Sequence, residues 1–114
     1  METIFGREGL LSRILEGFEY RPMQADMARA VESAISEGRP TIVEAGTGTG
    51  KTLAYLIPAL LSRRKTVIST GTKTLQDQLL HHDIPVLREH LPTNFRVICL
   101  KGRKNYLCLH RFYR

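Results

Sequence analysis

A glycine-rich stretch at residues 44–52 carries the residue types that bind phosphate. It reads Glu-Ala-Gly-Thr-Gly-Thr-Gly-Lys-Thr and fits the phosphate-binding loop pattern, with alanine in place of the usual first glycine. Gly46, Gly48 and Gly50 can adopt backbone angles that are closed to other residues, so successive N–H groups can turn inward around an anion. Lys51 can place a positive charge against the β- and γ-phosphates of a nucleotide, and the Thr52 hydroxyl can ligate Mg²⁺.

The segments on either side of this loop suit the same chemistry. The β-branched run before it predicts a strand over residues 41–45, and the apolar run after it predicts a helix that reaches about Ser62 and kinks at Pro58. A helix N-terminus carries partial positive charge, which favours an anion in the loop. The alternative, a glycine-rich turn that happens to precede a lysine, leaves the flanking strand and helix unexplained. We therefore predict nucleotide binding, with Lys51 and Thr52 as catalytic residues.

The composition of the 114 residues limits the kind of protein and its partners. Lysine and arginine number 17 against 11 aspartate and glutamate residues, a net charge of +6. This charge suits a polyanion such as nucleic acid, although a solvated basic face is the commoner explanation. Two cysteines cannot build a disulfide framework, no secretory signal begins the chain, and the longest apolar run, residues 53–61, is too short to span a bilayer. We expect at most one domain, located in the cytoplasm, with no membrane partner.

Apolar spacing along the rest of the chain predicts that helices and strands alternate. The predicted elements are a short amphipathic helix at 10–15, a helix from Met23 to a stop at Gly38, a strand at 66–70, a helix at 73–82, an interruption at Pro85, a short helix at 86–90 and a strand at 95–100. This order predicts an α/β fold, a parallel sheet with helices on both faces. Because three strands leave a sheet edge that is normally paired or covered, the architecture indicates the front part of a longer protein.

Three further positions could take part in binding. The Gln24 amide has a donor and an acceptor and can read the paired edge of adenine, although a helix cap or a solvated side chain is the commoner role. Residues 70–73 follow a predicted strand, where hydroxyls, a glycine N–H and Lys73 could hold a nucleic-acid phosphate. An ordinary strand-to-helix turn with Thr72 as the N-cap is the alternative there. Cys108 lies in a basic segment and cannot make a metal site alone.

Four blocks of sequence, at residues 20–24, 43–52, 68–79 and 100–108, agree in order and spacing with one family. They begin with Tyr-Arg-Pro-x-Gln, continue with the phosphate-binding loop and Ile-Ser-Thr-Gly-Thr-Lys-Thr-Leu-Gln-Asp-Gln-Leu, and end with Leu-Lys-Gly-Arg-Lys-Asn-Tyr-Leu-Cys. From about residue 18 to residue 110 the chain resembles the N-terminal part of DinG/YoaA-type helicases, bacterial relatives of the XPD iron–sulfur helicases in superfamily two.

The resemblance implies a RecA-like P-loop NTPase fold with an incomplete first motor domain. Residues 1–17 would be an N-terminal extension, 18–100 the front part of the motor domain, and 101–114 the truncated start of an iron–sulfur insertion. Cys108 would be the first of four ligands to a [4Fe–4S] cluster, with the other three outside this chain. The residues expected to bind ATP and Mg²⁺ are Gln24, Ala45, Gly46, Thr47, Gly48, Thr49, Gly50, Lys51 and Thr52, with Arg21 beside Gln24. Those expected to contact nucleic acid, as the family's motif Ia, are Thr70, Gly71, Thr72 and Lys73.

The activity implied by the resemblance is the unwinding of DNA in DNA repair, in the 5′-to-3′ direction, by a monomer that hydrolyses ATP and binds single-stranded or forked DNA. The 114 residues contain no Asp-Glu-x-His motif, and the arginine finger and second motor domain are absent from them. Phosphoryl transfer needs several positioned charges acting together, so this fragment alone is expected to be catalytically inactive. Two alternatives stay open: a stand-alone nucleotide- or single-strand DNA-binding module, and a small P-loop kinase, against which Ala45 and the threonine-rich loop argue.

Overall fold

In a computed structural model of the chain, residues 1–46 and 50–102 are described. The predictions made for Thr47, Gly48, Thr49 and Cys108 lie outside the described residues. The helices, in chain order, are α1 Glu2–Phe5, α2 Leu10–Ile14, α3 Pro22–Glu37, α4 Lys51–Leu61, α5 Lys73–Gln78 and α6 Ile84–His90, with a π-helical turn Leu79–Asp83 between α5 and α6. None of the helices in the described ranges is long and apolar enough to cross a bilayer.

The longest described helix, α3, begins and ends at residues that the sequence marks. Pro22 occupies the first position, where its missing N–H costs nothing and its fixed φ angle suits a helix. Gly38 ends the helix in the left-handed conformation, with φ 66°, and the Arg39 N–H bonds back to the Ala34 carbonyl at 3.0 Å. The predicted helix with a stop at Gly38 is therefore confirmed.

Proline breaks neither of the later helices. α4 continues through Pro58, which is buried, to Leu61, close to the predicted end at Ser62. The predicted interruption at Pro85 is wrong, because helical structure runs from residue 73 to residue 90. The π-helical turn widens the hydrogen-bond register just before this proline, and Pro85 itself stands in the first turn of α6, where a missing N–H is tolerated.

The core is built by helices packed on helices. The largest completely buried side chains are Phe5, Leu11, Leu56, Ile57 and Leu87. They come from α1, α2, α4 and α6, and the fully buried alanines of α3 and α4 join them. Phe95 and Val97 pack against this cluster from outside. A sheet covered by helices, as the predicted α/β fold requires, is therefore not seen in the described residues.

The three predicted strands have neither helical structure nor strand pairing in the described part of the chain. Each segment exposes a large apolar side chain to solvent: Ile42 is 100% exposed, Val67 92% and Ile98 84%. Parallel strands are stable when each one pairs with neighbours and helices cover both faces. The described residues supply neither condition, because their helices bury apolar surface against one another. The predicted parallel sheet is therefore not seen in the described residues, although 41–45, 66–70 and 95–100 are non-helical, as predicted.

The N-terminal segment is packed into the same core as α3. Phe5 and Leu11 have no exposed surface, and the Glu2 carboxylate lies 3.4 Å from the Arg29 guanidinium of α3. The predicted helix at 10–15 is confirmed as α2, whereas α1 was not predicted from its spacing. A four-residue helix is too short to show periodicity. The boundary of the extension at residue 17 stays a prediction.

Replacing Phe5 with alanine tests this packing. Removing a completely buried phenylalanine leaves a cavity and typically costs about 3–5 kcal/mol. We expect the free energy of unfolding of Phe5→Ala, measured by urea denaturation, to fall by about 3 kcal/mol. Met23→Ala is the control, because Met23 is 61% exposed, and it should stay within about 0.5 kcal/mol of the parent chain. Equal stability of the two variants would contradict the burial of the N-terminal segment.

Candidate nucleotide-binding site

Gly50 connects the phosphate-binding loop to α4. Its φ of 77° lies in the left-handed region, and the next residue, Lys51, begins the helix. Glycine reaches this conformation without the steric cost that a side chain would add. The Lys51 side chain is exposed and Thr52 is half-buried, so an ammonium group and a hydroxyl stand together at the start of α4. These are the donor and the oxygen ligand that a Mg²⁺-bound nucleotide phosphate requires.

Gln24 reaches the loop from the first turns of α3. Its side chain is 4% exposed, and it is the buried polar side chain of the described core. The Gln24 Nε2 donates to the Gly50 carbonyl at 3.2 Å. The Ala54 N–H donates to the same carbonyl at 3.3 Å as part of α4. The Gly50 carbonyl therefore uses both lone pairs, one within its own helix and one toward α3.

Small side chains let α3 and α4 approach closely enough for this contact. Ala25 and Ala28 of α3 and Ala54 of α4 are all completely buried, and the two helices pack along each other. A Cβ atom added at Gly50 would overlap the Gln24 amide. Gly50 thus meets two requirements at once, a left-handed backbone and room for the glutamine.

The Thr52 hydroxyl has a partner on its own helix. Burial raises the pKa of the Tyr55 phenol, a side-chain hydrogen bond with Thr52 acts in the opposite direction, and the charge of Asp83 raises the pKa further. Residues three apart on a helix are neighbours on its surface, which explains the Thr52–Tyr55 contact. Tyr55 was not among the predicted site residues, although its spacing from Thr52 could have indicated it.

Arg21 does not join Gln24 at the loop. It is the residue before α3, and its guanidinium lies 3.5 Å from the Glu19 carboxylate on the exposed surface. Both side chains in this pair are largely solvated, so the pair contributes little to stability. Of the two residues predicted to sense adenine, Gln24 is the one that contacts the loop.

The predicted nucleic-acid residues form the turn that leads into α5. The Thr72 hydroxyl accepts a hydrogen bond from the Leu75 N–H at 3.2 Å, so Thr72 is the N-cap of this helix. The Thr70 hydroxyl donates to the Thr72 carbonyl at 3.2 Å. Gly71 and Lys73 are exposed. The capping alternative for Thr72 is therefore observed, and Gly71 and Lys73 stay exposed beside it.

Metal ligands do not cluster in the described part of the chain. Residues 1–46 and 50–102 contain no group of three histidine, cysteine, aspartate or glutamate side chains that could hold an ion. Cys99 is a free, half-buried thiol. The exposed His82 lies 3.0 Å from the Asp83 carboxylate, which is largely buried. The predicted role of Cys108 stays a prediction, as does that of each residue assigned to ATP.

Comparison with known proteins places the chain among helicases. The family model described as DEAD/DEAH box helicase matches residues 21–107. The ATP-dependent DNA helicase YoaA of Escherichia coli K12 is 52% identical over 111 residues, which cover 97% of this chain and 18% of that protein. The ATP-dependent helicase DinG of Mycobacterium tuberculosis H37Ra is 44% identical over 98 residues, 79% of this chain and 15% of that protein.

A relative with a different name matches as broadly. The 3′-5′ exonuclease DinG of Bacillus subtilis 168 is 39% identical over 111 residues, which cover 94% of this chain and 12% of that protein. The chain therefore spans less than a fifth of the length of each of these three relatives. No solved structure matches the chain significantly.

Substituting Gly50 tests the contact between α3 and the loop. In Gly50→Ala the new methyl group would both strain a left-handed backbone and displace the Gln24 amide. Gly38→Ala is a matched control, because Gly38 has a similar φ of 66° and nothing within 4 Å of an added Cβ. We expect each variant to lose about 1–2 kcal/mol of stability from backbone strain.

Only the loop variant should also lose nucleotide affinity. A buried amide without its partner costs about 1–3 kcal/mol, so Gly50→Ala should bind ATP about 5- to 150-fold more weakly than Gly38→Ala if that cost falls on the nucleotide-binding geometry. Titration calorimetry with ATP in the presence of Mg²⁺ measures this difference. Equal affinities in the two variants would mean that the Gln24–Gly50 contact plays no part in binding.

Proposed function

The chain belongs to the DEAD/DEAH box helicase family, and we propose that it is the nucleotide-binding front part of an ATP-dependent DNA helicase that acts in DNA repair. The proposal concerns the full-length protein that carries these residues. The chain contributes ATP binding and the first contacts with DNA, while hydrolysis needs further charged groups around the γ-phosphate. The 114 residues alone are expected to be catalytically inactive.

The observation that carries this proposal is the hydrogen bond from Gln24 to Gly50. It places an amide beside the loop, 26 positions away in sequence, at the point where α4 begins. Gln24 is proposed to sense adenine, as the resemblance implies, and this contact would couple that residue to the loop that binds the phosphates.

ATP and Mg²⁺ fit the residues at the start of α4. The Lys51 ammonium is exposed and can neutralise phosphate charge, and the N-terminus of the eleven-residue helix adds partial positive charge. The Thr52 hydroxyl is a hard oxygen ligand of the kind that Mg²⁺ prefers, and it lies within hydrogen-bonding reach of Tyr55. Residues 45–50 supply the backbone N–H groups of the cradle.

Single-stranded or forked DNA is the proposed partner. The turn at residues 70–73 offers an exposed glycine N–H and the Lys73 ammonium, groups that bind a phosphate backbone without reading sequence. The net charge of +6 favours the same partner. We propose the domain layout given by the resemblance, with the motor domain over 18–100 between an extension at 1–17 and an insertion that starts at 101.

A [4Fe–4S] cluster in that insertion is part of the proposal. Such clusters are held by four cysteine thiolates, and this chain offers Cys108 as the first, within a basic segment. Cys99, the other cysteine of the chain, is half-buried in the segment at 95–100 and is not assigned to the cluster. The cluster would supply a rigid, redox-active centre to the inserted domain.

Lysine substitution tests the proposed ATPase. In the full-length protein, Lys51→Ala removes the charge that stabilises the transferred phosphoryl group, so kcat for DNA-stimulated ATP hydrolysis should fall by about 10²–10³-fold. Lys65→Ala removes an exposed lysine elsewhere and should leave kcat unchanged. Circular dichroism should be the same for both variants. Normal turnover by Lys51→Ala would refute the role assigned to this lysine.

Cysteine substitution tests the proposed cluster. Cys108→Ser removes one of four thiolate ligands, so the purified full-length protein should lose the visible absorbance of the cluster. Cys99→Ser is the matched control and should keep the spectrum of the parent protein. An unchanged spectrum in Cys108→Ser would exclude this cysteine as a ligand, and loss in both variants would contradict the assignment of Cys99 as a residue outside the cluster.

A further inference from the structure

Two side chains of α5 contact the end of the segment at 95–100 and the residue that follows it. The Gln76 Nε2 donates to the Leu100 carbonyl at 3.0 Å, and the Lys101 Nζ donates to the Asp77 carboxylate at 3.0 Å. Each contact joins residues that lie 24 positions apart in sequence. We call these two hydrogen bonds the α5 contacts. Residue spacing gives no signal for either of them.

The α5 contacts matter because this helix has little apolar anchorage. None of its six residues is buried, whereas the π-helical turn that follows buries Leu79 and α6 buries Ile84 and Leu87. The first part of the helical run is therefore held in place by polar contacts rather than by packing. Gln76 and Asp77 supply two such contacts, side by side.

The same part of α5 carries the turn at residues 70–73. Thr72 caps the helix and Lys73 is its first residue, so the turn moves with the helix. Gln76 lies about 5 Å along the helix axis from Lys73, at about 1.5 Å per residue. Fixing Gln76 and Asp77 against residues 100 and 101 therefore fixes the position of the exposed glycine N–H and the lysine ammonium in the turn.

Resting on the proposed function, we propose that Gln76 and Asp77 are positioning residues for the binding of single-stranded nucleic acid. They hold the turn at residues 70–73 in the geometry that receives a phosphate backbone, through their contacts with Leu100 and Lys101. A preorganised turn binds more tightly because less ordering has to accompany association. The position of residues 100 and 101, where the proposed insertion begins, consequently affects how tightly the turn binds single-stranded nucleic acid.

Two simpler explanations make opposite predictions. If Lys101 contacts phosphate itself, the negative charge of Asp77 only weakens that contact. Asp77→Lys should then tighten nucleic-acid binding by adding positive charge. If the pair is an ordinary solvated ion pair, neither residue affects binding. Under the positioning role, Asp77→Lys should weaken binding in spite of its added positive charge, because the two lysines repel and the turn loses its support.

A charge-reversal cycle in the full-length protein tests the proposal. The dissociation constant of a fluorescent single-stranded oligonucleotide is measured for the parent protein, Asp77→Lys, Lys101→Asp and the double variant. The Lys101 and Asp77 side chains are 30% and 48% exposed, so solvent screens the pair, and each single reversal should weaken binding by only about threefold. The double variant, with the pair restored in reverse, should return to within about twofold of the parent protein.

Gln76→Ala supplies a test that changes no charge. It removes the other half of the α5 contacts, so it should weaken oligonucleotide binding while the slope of log Kd against log salt stays the same, because the number of phosphate contacts is unchanged. ATP affinity, measured on the same samples, should equal that of the parent protein in every variant. Glu32→Lys, a reversal of an exposed charge on α3, controls for the overall change in charge.

Several outcomes would overturn the proposal. Tighter binding by Asp77→Lys, or a salt slope that falls by about 0.7 in Lys101→Asp but not in Gln76→Ala, would mean that Lys101 contacts phosphate directly. Unchanged binding by Asp77→Lys would mean that the pair plays no part in binding. A double variant as weak as Lys101→Asp would likewise contradict the positioning role. If the parent protein binds ATP and the oligonucleotide but the charge-reversal cycle shows no coupling between Asp77 and Lys101, the positioning role alone fails. If the parent protein binds no oligonucleotide, the proposed helicase function fails with it.

Discussion

The described structure depends on the close packing of α3 against α4, which the Gln24–Gly50 hydrogen bond completes. Alanines on both helices bring the backbones together, and the absence of a side chain at Gly50 leaves room for the glutamine amide. The same glycine supplies the left-handed turn that begins α4. Stability and site geometry are thus linked here, because a change that separates the helices also moves the residues that are proposed to bind the nucleotide.

The two candidate binding regions are held by different forces. At the phosphate-binding loop, burial dominates: Gln24 is 4% exposed, and completely buried side chains of α4 lie just beyond the loop. At the turn before α5, polar contacts dominate, and no residue of that helix is buried. Burial of apolar groups fixes a geometry strongly, whereas half-exposed hydrogen bonds contribute on the order of 1 kcal/mol each. The nucleotide-binding region is therefore expected to be the more rigid of the two, and the turn before α5 the more easily displaced.

The extended segments show what a parallel sheet requires. Phe95 and Val97 rest on the helical core, while Ile98 and Leu100, on the other face of the same segment, are 84% and 78% exposed. This alternation is the signature of a strand with one covered face. A parallel strand needs neighbours at its edges and cover on both faces, and the described residues do not provide them. The chain corresponds to 12–18% of the length of three helicase-related proteins that it matches.

The sequence by itself determined the family and most of the helices. The phosphate-binding loop, the Tyr-Arg-Pro-x-Gln block and the blocks after them predicted the resemblance to DinG/YoaA-type helicases, which the family model and the relatives confirm. The helix signals at Pro22 and Gly38 are local and act wherever the chain folds, so the bounds of α3 could be read directly. The spacing of apolar residues likewise predicted α2 and α4.

Only the tertiary structure decided how these parts meet. Strand pairing depends on distant partners and not on local preference, so the predicted sheet is not seen although its segments are non-helical, as predicted. The contact of Gln24 with Gly50 and the α5 contacts each join residues more than twenty positions apart. Burial of Phe5 in the shared core depends on packing around a short helix. Spacing along one chain carries no signal for such contacts, because they arise from the way the helices pack in three dimensions.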